Sequence, residues 1–289
     1  MKIIAAALLL LLSCVPGRTQ TPVAVPPANV PAASGGIAHG ALLIVGGGAM
    51  GPELWNRFVE LAGGTKAHIV VIPTANEDDA IAEDHTTDHL RTLGVAQVTV
   101  LHTRDRKTAD SAAFVTPLLS ATGVWLGGGR QWRLADAYLH TRTQTELNNV
   151  LARGGVIGGS SAGATIQGSL LVRGDTRGNE VMEGDHREGF GFLPNSAIDQ
   201  HVLRRNRQFD LIPVIDAHPE LLGIGIDEGT AILVRGNEFE VLGATYVIVH
   251  TRPKPGTSPT PTPNNAGTKG KFYLLGKGQQ FDLQNRRPK

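Results

Sequence analysis

The chain has 289 residues, of which 41% are hydrophobic and 18% charged, and its formal net charge is +1. That balance supports a folded core and excludes a chain-wide attraction to nucleic acid or to anionic membranes. The single cysteine, Cys14, excludes an internal disulfide and a cysteine-ligated zinc site.

Lys2 followed by the apolar run 3–12 reads as an export signal. The run falls short of the roughly 20 residues that a membrane-spanning helix needs. Cys14, directly after "LLS", resembles the lipobox of bacterial lipoproteins, where the cysteine carries a lipid anchor. Ordinary cleavage near Gln20 is the alternative, and both readings place the protein outside the cytoplasm, as a periplasmic, secreted or surface-anchored molecule. Residues 1–20 are thus read as signal, 21–37 as a Pro/Ala-rich linker, and 38–289 as one domain.

From Ala38 onward, short apolar runs alternate with helical patterns. "ALLIV" (41–45) is a strand, and "PELWNRFVELAG" (52–63) a helix with Pro at its start and Gly at its end. "AHIVVIPTA" is a strand, and residues 77–94 form a helix closed by Gly94. "VAQVTVLHT" is a strand, and "DSAAFVTPLLSATG" is helical with a break at Pro117. "VWLGGG" is a strand, the stretch from Gln131 to Gly154 helical, "GVIGGS" a strand, and "AGATIQGSLL" the beginning of a helix. Strands apolar throughout are buried on both faces, so the pattern predicts a three-layer α/β sandwich with a mostly parallel sheet. Residues 228–250 read as antiparallel strands, 252–270 as a disordered Pro/Thr-rich insert, and 271–283 as a last strand pair.

The stretch "GGVIGGSSAGATIQG" (154–168) carries the chemistry. Gly159, Ser161 and Gly163 fit G-x-S-x-G between a buried strand and a helix, the pattern of a nucleophile elbow. The turn is strained, which explains neighbours without bulk. The apex hydroxyl would sit at a helix N-terminus, where the N–H of Ala162 is a natural oxyanion donor. A tight turn with Ser160 or Ser161 as N-cap is the plainer alternative. A nucleophilic serine needs a base, and the base an orienting acid. Among ten histidines, His201 has the most polar context, followed by Arg204, Arg205 and Arg207. His85 and His89 beside Asp84 and Asp88 lack the order of a zinc motif. Asp227 and Glu228 both stand at the end of an apolar strand, and either is available to orient a histidine. "LLIVGGGAMGPELW" presents G-x-G-x-x-G at Gly46, Gly48 and Gly51, the pattern of a dinucleotide-binding oxidoreductase. The next strand lacks the acid that a ribose would require, so a tight turn bordering the pocket is preferred.

The motifs "VGGG" (45–48), "VIPTA" (71–75), "GGGRQWRL" (127–134), "GGSSAGAT" (158–165), "GFGFLPNSAIDQH" (189–201), "GIGIDEGTA" (223–231) and "GQQFDL" (278–283) together resemble the cyanophycinase family of serine peptidases, relatives of aspartyl dipeptidase. The resemblance implies a flavodoxin-like sandwich of the class I glutamine amidotransferase kind, with C-terminal antiparallel strands. It implies Ser161 as nucleophile, His201 as base and Glu228 as acid, with Gly128 or Gly129 joining Ala162 as oxyanion donor. Gln131, Asp199, Gln200, Arg205 and Arg207 match the family's substrate pocket. The implied substrate is an aspartyl peptide or a cyanophycin-like polymer, whose poly-aspartate backbone bears arginines on isopeptide bonds, cleaved to β-Asp-Arg. No metal or cofactor is required, no nucleic-acid partner is expected, and a homodimer is allowed. Two positions depart from the family pattern: Arg130, usually Asp or Asn, and Asp210, usually Arg. An α- or β-aspartyl dipeptidase, an inactive binding protein using the Arg-lined cleft, and a lipase-like esterase are the alternatives. The order Ser, His, Glu disfavours the last.

Overall fold

The computed structural model describes residues 36–82, 84–252 and 271–289. The export-like segment with Cys14, most of the Pro/Ala-rich linker, and nearly all of the Pro/Thr-rich insert lie outside the described residues. At the first edge Ile37 is buried and its N–H donates to Gly236 O at 2.9 Å.

The apolar runs form the strands expected of them. β1 (Ala41–Val45), β2 (His68–Ile72), β3 (Gln97–Val100), β4 (Gly123–Leu126) and β5 (Val156–Ser160) lie parallel in the order β1-β5-β4-β2-β3. β1, β2 and β4 are buried along their whole length, as two-sided cover demands. One face takes α1 (Pro52–Ala62), whose Leu54 and Phe58 pack with Val45, Val71 and Trp125. The other face takes α5 (Gln131–Tyr138), α6 (Arg142–Ala152) and a second sheet.

That second sheet comprises β6 (Gly168–Leu170), β7 (Leu193–Gln200), β8 (Leu222–Ile226), β11 (Tyr246–Thr251) and β12 (Lys271–Gly276), in the order β12-β11-β8-β7-β6. Ile198, Ile224, Ile226 and Val247 join Leu42 and Ile44 of β1 in one apolar core. The remaining strands, β9 (Thr230–Arg235), β10 (Glu238–Gly243), β13 (Gln280–Asp282) and β14 (Arg287–Pro288), extend the first sheet antiparallel beyond β1. The C-terminal strands are antiparallel as expected, but they are shared between the sheets. β10 and β11 do not pair with each other, and β12 and β13 do not form a hairpin. β12 pairs with β11, and β13 with β10.

Several expected helices are shorter than their patterns. The 77–94 pattern divides into α2 (Asp78–Ala82) and α3 (Thr86–Thr92). Between them Asp84 Oδ1 accepts the Thr86 N–H at 2.8 Å, the local competition by which Asp interrupts a helix. The stretch around Pro117 holds only the short 3₁₀ turn Thr116–Leu119, preceded by α4 (Arg106–Ala109), which Asp105 caps. His140, at φ 58°, separates α5 from α6. The helix that opens after Ser161 is a single turn, α7 (Ala162–Thr165), before the chain is drawn into β6 alongside β7. α8 (Leu211–Ala217) follows β7 and packs on the second sheet.

The layout has one consequence for chemistry. The carboxyl ends of β1, β5 and β4 are neighbours in the first sheet, and those of β7 and β8 are neighbours in the second. The two sets are joined directly: His201 N–H donates to Gly46 O at 2.8 Å, and Gly229 N–H to Gly47 O at 2.9 Å. Ligand sites of α/β sheets form at such strand ends.

Candidate active site

Ser161 follows β5 with φ 55° and ψ −110°, outside the regions that side-chain-bearing residues prefer. Its N–H donates to Val45 O at 3.1 Å, which ties the turn to β1. The glycines that flank it are required by space. A Cβ on Gly159 would lie 2.3 Å from Gly163 O, and one on Gly163 would lie 2.1 Å from Leu126 O. The elbow therefore closes only with glycine at both positions. Ala162, the first residue of α7, is in the turn whose N–H groups have no intrahelical acceptor.

His201 and Glu228 arrive from the second sheet. Ser161 Oγ is 2.9 Å from His201 Nε2, and His201 Nδ1 is 2.6 Å from Glu228 Oε1. His201, at φ 54°, is buried just past β7. Glu228 follows β8. The neighbouring Asp227 turns the other way, and its Oδ1 accepts the N–H groups of Leu203 and Arg204, at 3.0 and 2.9 Å. It fixes the turn that follows His201. The two carboxylates, equivalent in sequence, are divided by the fold into one that faces the imidazole and one that holds its backbone.

The glycine run after β1 belongs to the same arrangement. A Cβ on Gly47 would lie 2.2 Å from His201 Cε1, and one on Gly48 would lie 2.8 Å from Glu228 Oε2. Gly51, the third glycine of the apparent dinucleotide fingerprint, has open space around it. The run thus makes room for an imidazole and a carboxylate. The bare Gly-Gly-Gly after a strand is the only sequence signal for this, and it is ambiguous.

The environment keeps His201 ready to accept a proton. Burial lowers its pKa below the ordinary imidazole value; the Glu228 hydrogen bond raises it, and the charges of Arg205 and Arg207 lower it further. The neutral form is therefore favoured, with Glu228 selecting the tautomer that donates from Nδ1 and leaves Nε2 free to accept.

The remaining expected site residues fall into distinct groups. Arg205 is exposed, whereas Arg207 is 7% exposed. Arg207 Nη1 stands 3.5 Å from Gln200 Oε1, and its Nη2 is 3.9 Å from Glu180, a side chain 90% exposed. Burial, followed by the charge of Arg173, lowers the Arg207 pKa. Asp199, expected in the pocket, is fully buried, and both its oxygens are taken by Arg173, at 2.8 and 2.9 Å. It is not free to meet a substrate, so its position is structural. Gln131 is likewise buried, and its amide donates to Val172 O and Arg173 O at 3.0 and 2.9 Å.

Arg173 itself, at 1% exposure, carries no signal in the sequence. It also reaches Asp210 at 2.5 Å. Burial works against its charge, but the hydrogen bonds and charges of Asp199 and Asp210 more than offset this. The unexpected carboxylate at 210 thus has a defined partner. Arg130, the other departure, stands at the N-terminal boundary of α5 without a side-chain capping bond, and its guanidinium donates to Asp175 O at 2.6 Å.

A cleft of about 560 Å³ adjoins Ser161. Gly127, Gly128, Gly129 and Ser160 line it together with Trp55, Asp84, His85 and the buried Trp125. A Cβ on Gly128 would sit 3.6 Å from Ser161 Cβ, so this glycine passes beside the serine side chain. Gly129, at φ 126°, turns the chain toward α5. His89 packs against Trp55, with ring centroids 5.0 Å apart, and among the described residues no three potential metal ligands come together.

Comparison with known proteins gives this arrangement a context. The profile of peptidase family S51 matches residues 42–242. A curated cyanophycinase from Nostoc sp. (strain PCC 7120 / SAG 25.82 / UTEX 2576) is 32% identical over 262 residues, covering 85% of this chain and 86% of the relative. A cyanophycinase from Thermosynechococcus vestitus (strain NIES-2133 / IAM M-273 / BP-1) is 34% identical over 220 residues, covering 73% and 68%. Among solved structures, a peptidase from an acI-B1 Actinobacterium shares the fold, with a TM-score of 0.59, 22% identity, and coverage of 86% of this chain and 98% of that one.

Proposed function

The chain belongs to peptidase family S51 and is a serine-type peptidase; we propose that Ser161, His201 and Glu228 are its catalytic triad and that it cleaves aspartyl amide or isopeptide bonds, in a cyanophycin-type polymer the backbone amides, whose cleavage releases β-Asp-Arg. One observation carries this reading: a serine held at φ 55° lies 2.9 Å from an imidazole that a carboxylate engages at 2.6 Å. In the proposed reaction His201 Nε2 takes the Ser161 proton as Oγ attacks the carbonyl. The oxyanion is met by the N–H of Ala162 and by that of Gly128 or Gly129. His201, now charged and steadied by Glu228, gives the proton to the leaving amine. Water then attacks the acyl-enzyme by the same route in reverse.

Arg207 supports an anionic substrate. A guanidinium has five N–H donors, and among the described residues this buried one has two long contacts, to Gln200 and Glu180. A carboxylate on the substrate would satisfy it in the bidentate manner that arginine favours. Gln200 and the exposed Arg205 stand close in sequence to complete that end of the site. The curated relatives named above are cyanophycinases, which is why we place the polymer ahead of simple α- or β-aspartyl dipeptides. Export is part of the proposal, with Cys14 either lipidated or removed with the signal.

The test is incubation with cyanophycin and with a panel of α- and β-aspartyl dipeptides, followed by mass analysis. β-Asp-Arg should accumulate from the polymer, and Ser161→Ala should abolish its release while melting like the parent. An active Ser161→Ala protein would overturn the assignment. Release of product from the dipeptides alone would move the reading to an aspartyl dipeptidase.

A further inference from the structure

The cleft beside Ser161 is lined by none of the triad side chains and by neither Arg205 nor Arg207. The half-buried Trp55 lines it, backed by the buried Trp125, with ring centroids 4.7 Å apart. Asp84, at the corner between α2 and α3, lines the same cleft. One of its oxygens, Oδ1, holds the Thr86 N–H. The other, Oδ2, reaches to 4.0 Å from the position a Cβ would take on Gly127. Neither lysine nor arginine lines the cleft, and among the described residues no cation pairs with Asp84. The nearby Arg104 and Arg133 are engaged elsewhere, with Asn76 O and Asp78, and with Ala75 O and Glu77.

A carboxylate without a counter-ion, sharing a concave site with a half-buried indole, is a receptor for a cation. An indole face attracts positive charge, and a planar cation also stacks on it. A guanidinium suits such a site better than an ammonium. It is planar, less strongly hydrated, and able to give a carboxylate two parallel N–H bonds. We propose that Asp84 and Trp55, with Trp125 behind the latter, form a subsite for the guanidinium of an arginine-bearing substrate, placed next to the scissile bond by the Gly127–Gly129 wall. This deepens the reading given above and rests on it for the identity of the substrate. The site would divide its labour by charge: Arg207 takes a carboxylate, and Asp84 the cationic side chain.

Two measurements separate the subsite from the reaction. In the first, the indole N–H resonances of the Ser161→Ala protein are followed as arginine amide or its neutral isostere, citrulline amide, is added at millimolar concentration. Trp55 and Trp125 should shift with arginine amide and not with citrulline amide. Asp84→Asn should remove the response, while its Asn side chain still caps Thr86 and keeps the fold. Equal shifts with both amides, or none with arginine amide, overturn the proposal. In the second, kcat/KM is compared for the release of β-Asp-Arg and of β-Asp-citrulline from matched oligomers, by cleavage of their backbone amides. The arginine substrate should be favoured about tenfold, and Asp84→Asn should erase that preference without slowing the citrulline substrate. A preference unchanged in Asp84→Asn also overturns it. An arginine-specific shift in a protein that releases neither dipeptide would sink the proposed reaction and leave the subsite standing.

Discussion

Replacing Gly47 by alanine tests whether the glycine run exists to seat His201. The new methyl carbon would stand 2.2 Å from His201 Cε1. Carbon atoms rest at about 3.5–4.0 Å, so ring and methyl must separate by about 1.3 Å or more. The imidazole is fixed on both sides, by Ser161 at 2.9 Å and Glu228 at 2.6 Å, so any such shift breaks or lengthens one of these bonds. A misplacement of about 1 Å in a reacting group costs roughly 100-fold in rate, or about 2.7 kcal/mol. The backbone adds a second cost, because Gly47 has φ 107° and a side chain there destabilises by about 1–2 kcal/mol. Gly51→Ala is the control: no heavy atom lies within 4 Å of its Cβ position, and its φ is −69°. The assay is kcat/KM on the polymer, the rate of labelling by an organophosphorus serine probe, and thermal melting for both variants. Gly47→Ala should lose about 100-fold in both kinetic readouts while Gly51→Ala stays within about twofold. Parental kinetics in a folded Gly47→Ala protein would refute the reasoning. A loss in Gly51→Ala equal to that in Gly47→Ala would return the run to a nucleotide-loop reading.

Glu228→Gln keeps the shape of the side chain but removes the charge that selects the His201 tautomer. kcat should fall by about 10³–10⁴-fold with KM little changed, and equal loss in KM alone would contradict the role. Arg173→Met leaves Asp199 buried without its partner and should cost about 3–5 kcal/mol in denaturant melts. Asp210→Asn, on a side chain 39% exposed, should cost no more than about 1 kcal/mol; the reverse ranking would show that Asp210, not Asp199, is the main partner. Stability should also fall on acidification. His68, His102, His201 and His250 all have pKa values lowered chiefly by burial. The unfolded chain therefore takes up their protons first as pH drops through about 6.5. His186 acts in the opposite sense: burial opposes its charge, but hydrogen bonds to Asp185 and Asp136 raise its pKa. Its contribution is present below about 6.5 and is lost as pH rises through its folded value. Four groups against one predict a Tm that declines between about pH 7 and pH 5, and a Tm that rises over that interval would contradict the histidine assignments.

The alternation of buried strands and amphipathic helices was legible because each such element is written in consecutive residues. So was the elbow: the need for small neighbours around Ser161 is met within five positions of chain. Helix lengths were less legible, since Asp84 and His140 interrupt patterns that remain helical on either side. The local sequence around "GIDEGT" did not say which carboxylate faces the histidine; the resemblance pointed to Glu228, and the fold alone turned Asp227 toward the backbone of Leu203 and Arg204. Nor did it say that a glycine run after β1 clears the space for a ring contributed 154 residues later (His201 minus Gly47). Arg173, Asp199 and Asp210 are three ordinary charged residues until the fold buries Arg173 and Asp199 together and brings the partly exposed Asp210 against them. Short-range preferences are set by backbone sterics and side-chain periodicity, which a sequence displays. Pairings across the sandwich are set by which surfaces lose water together, and that is decided only when the two sheets close.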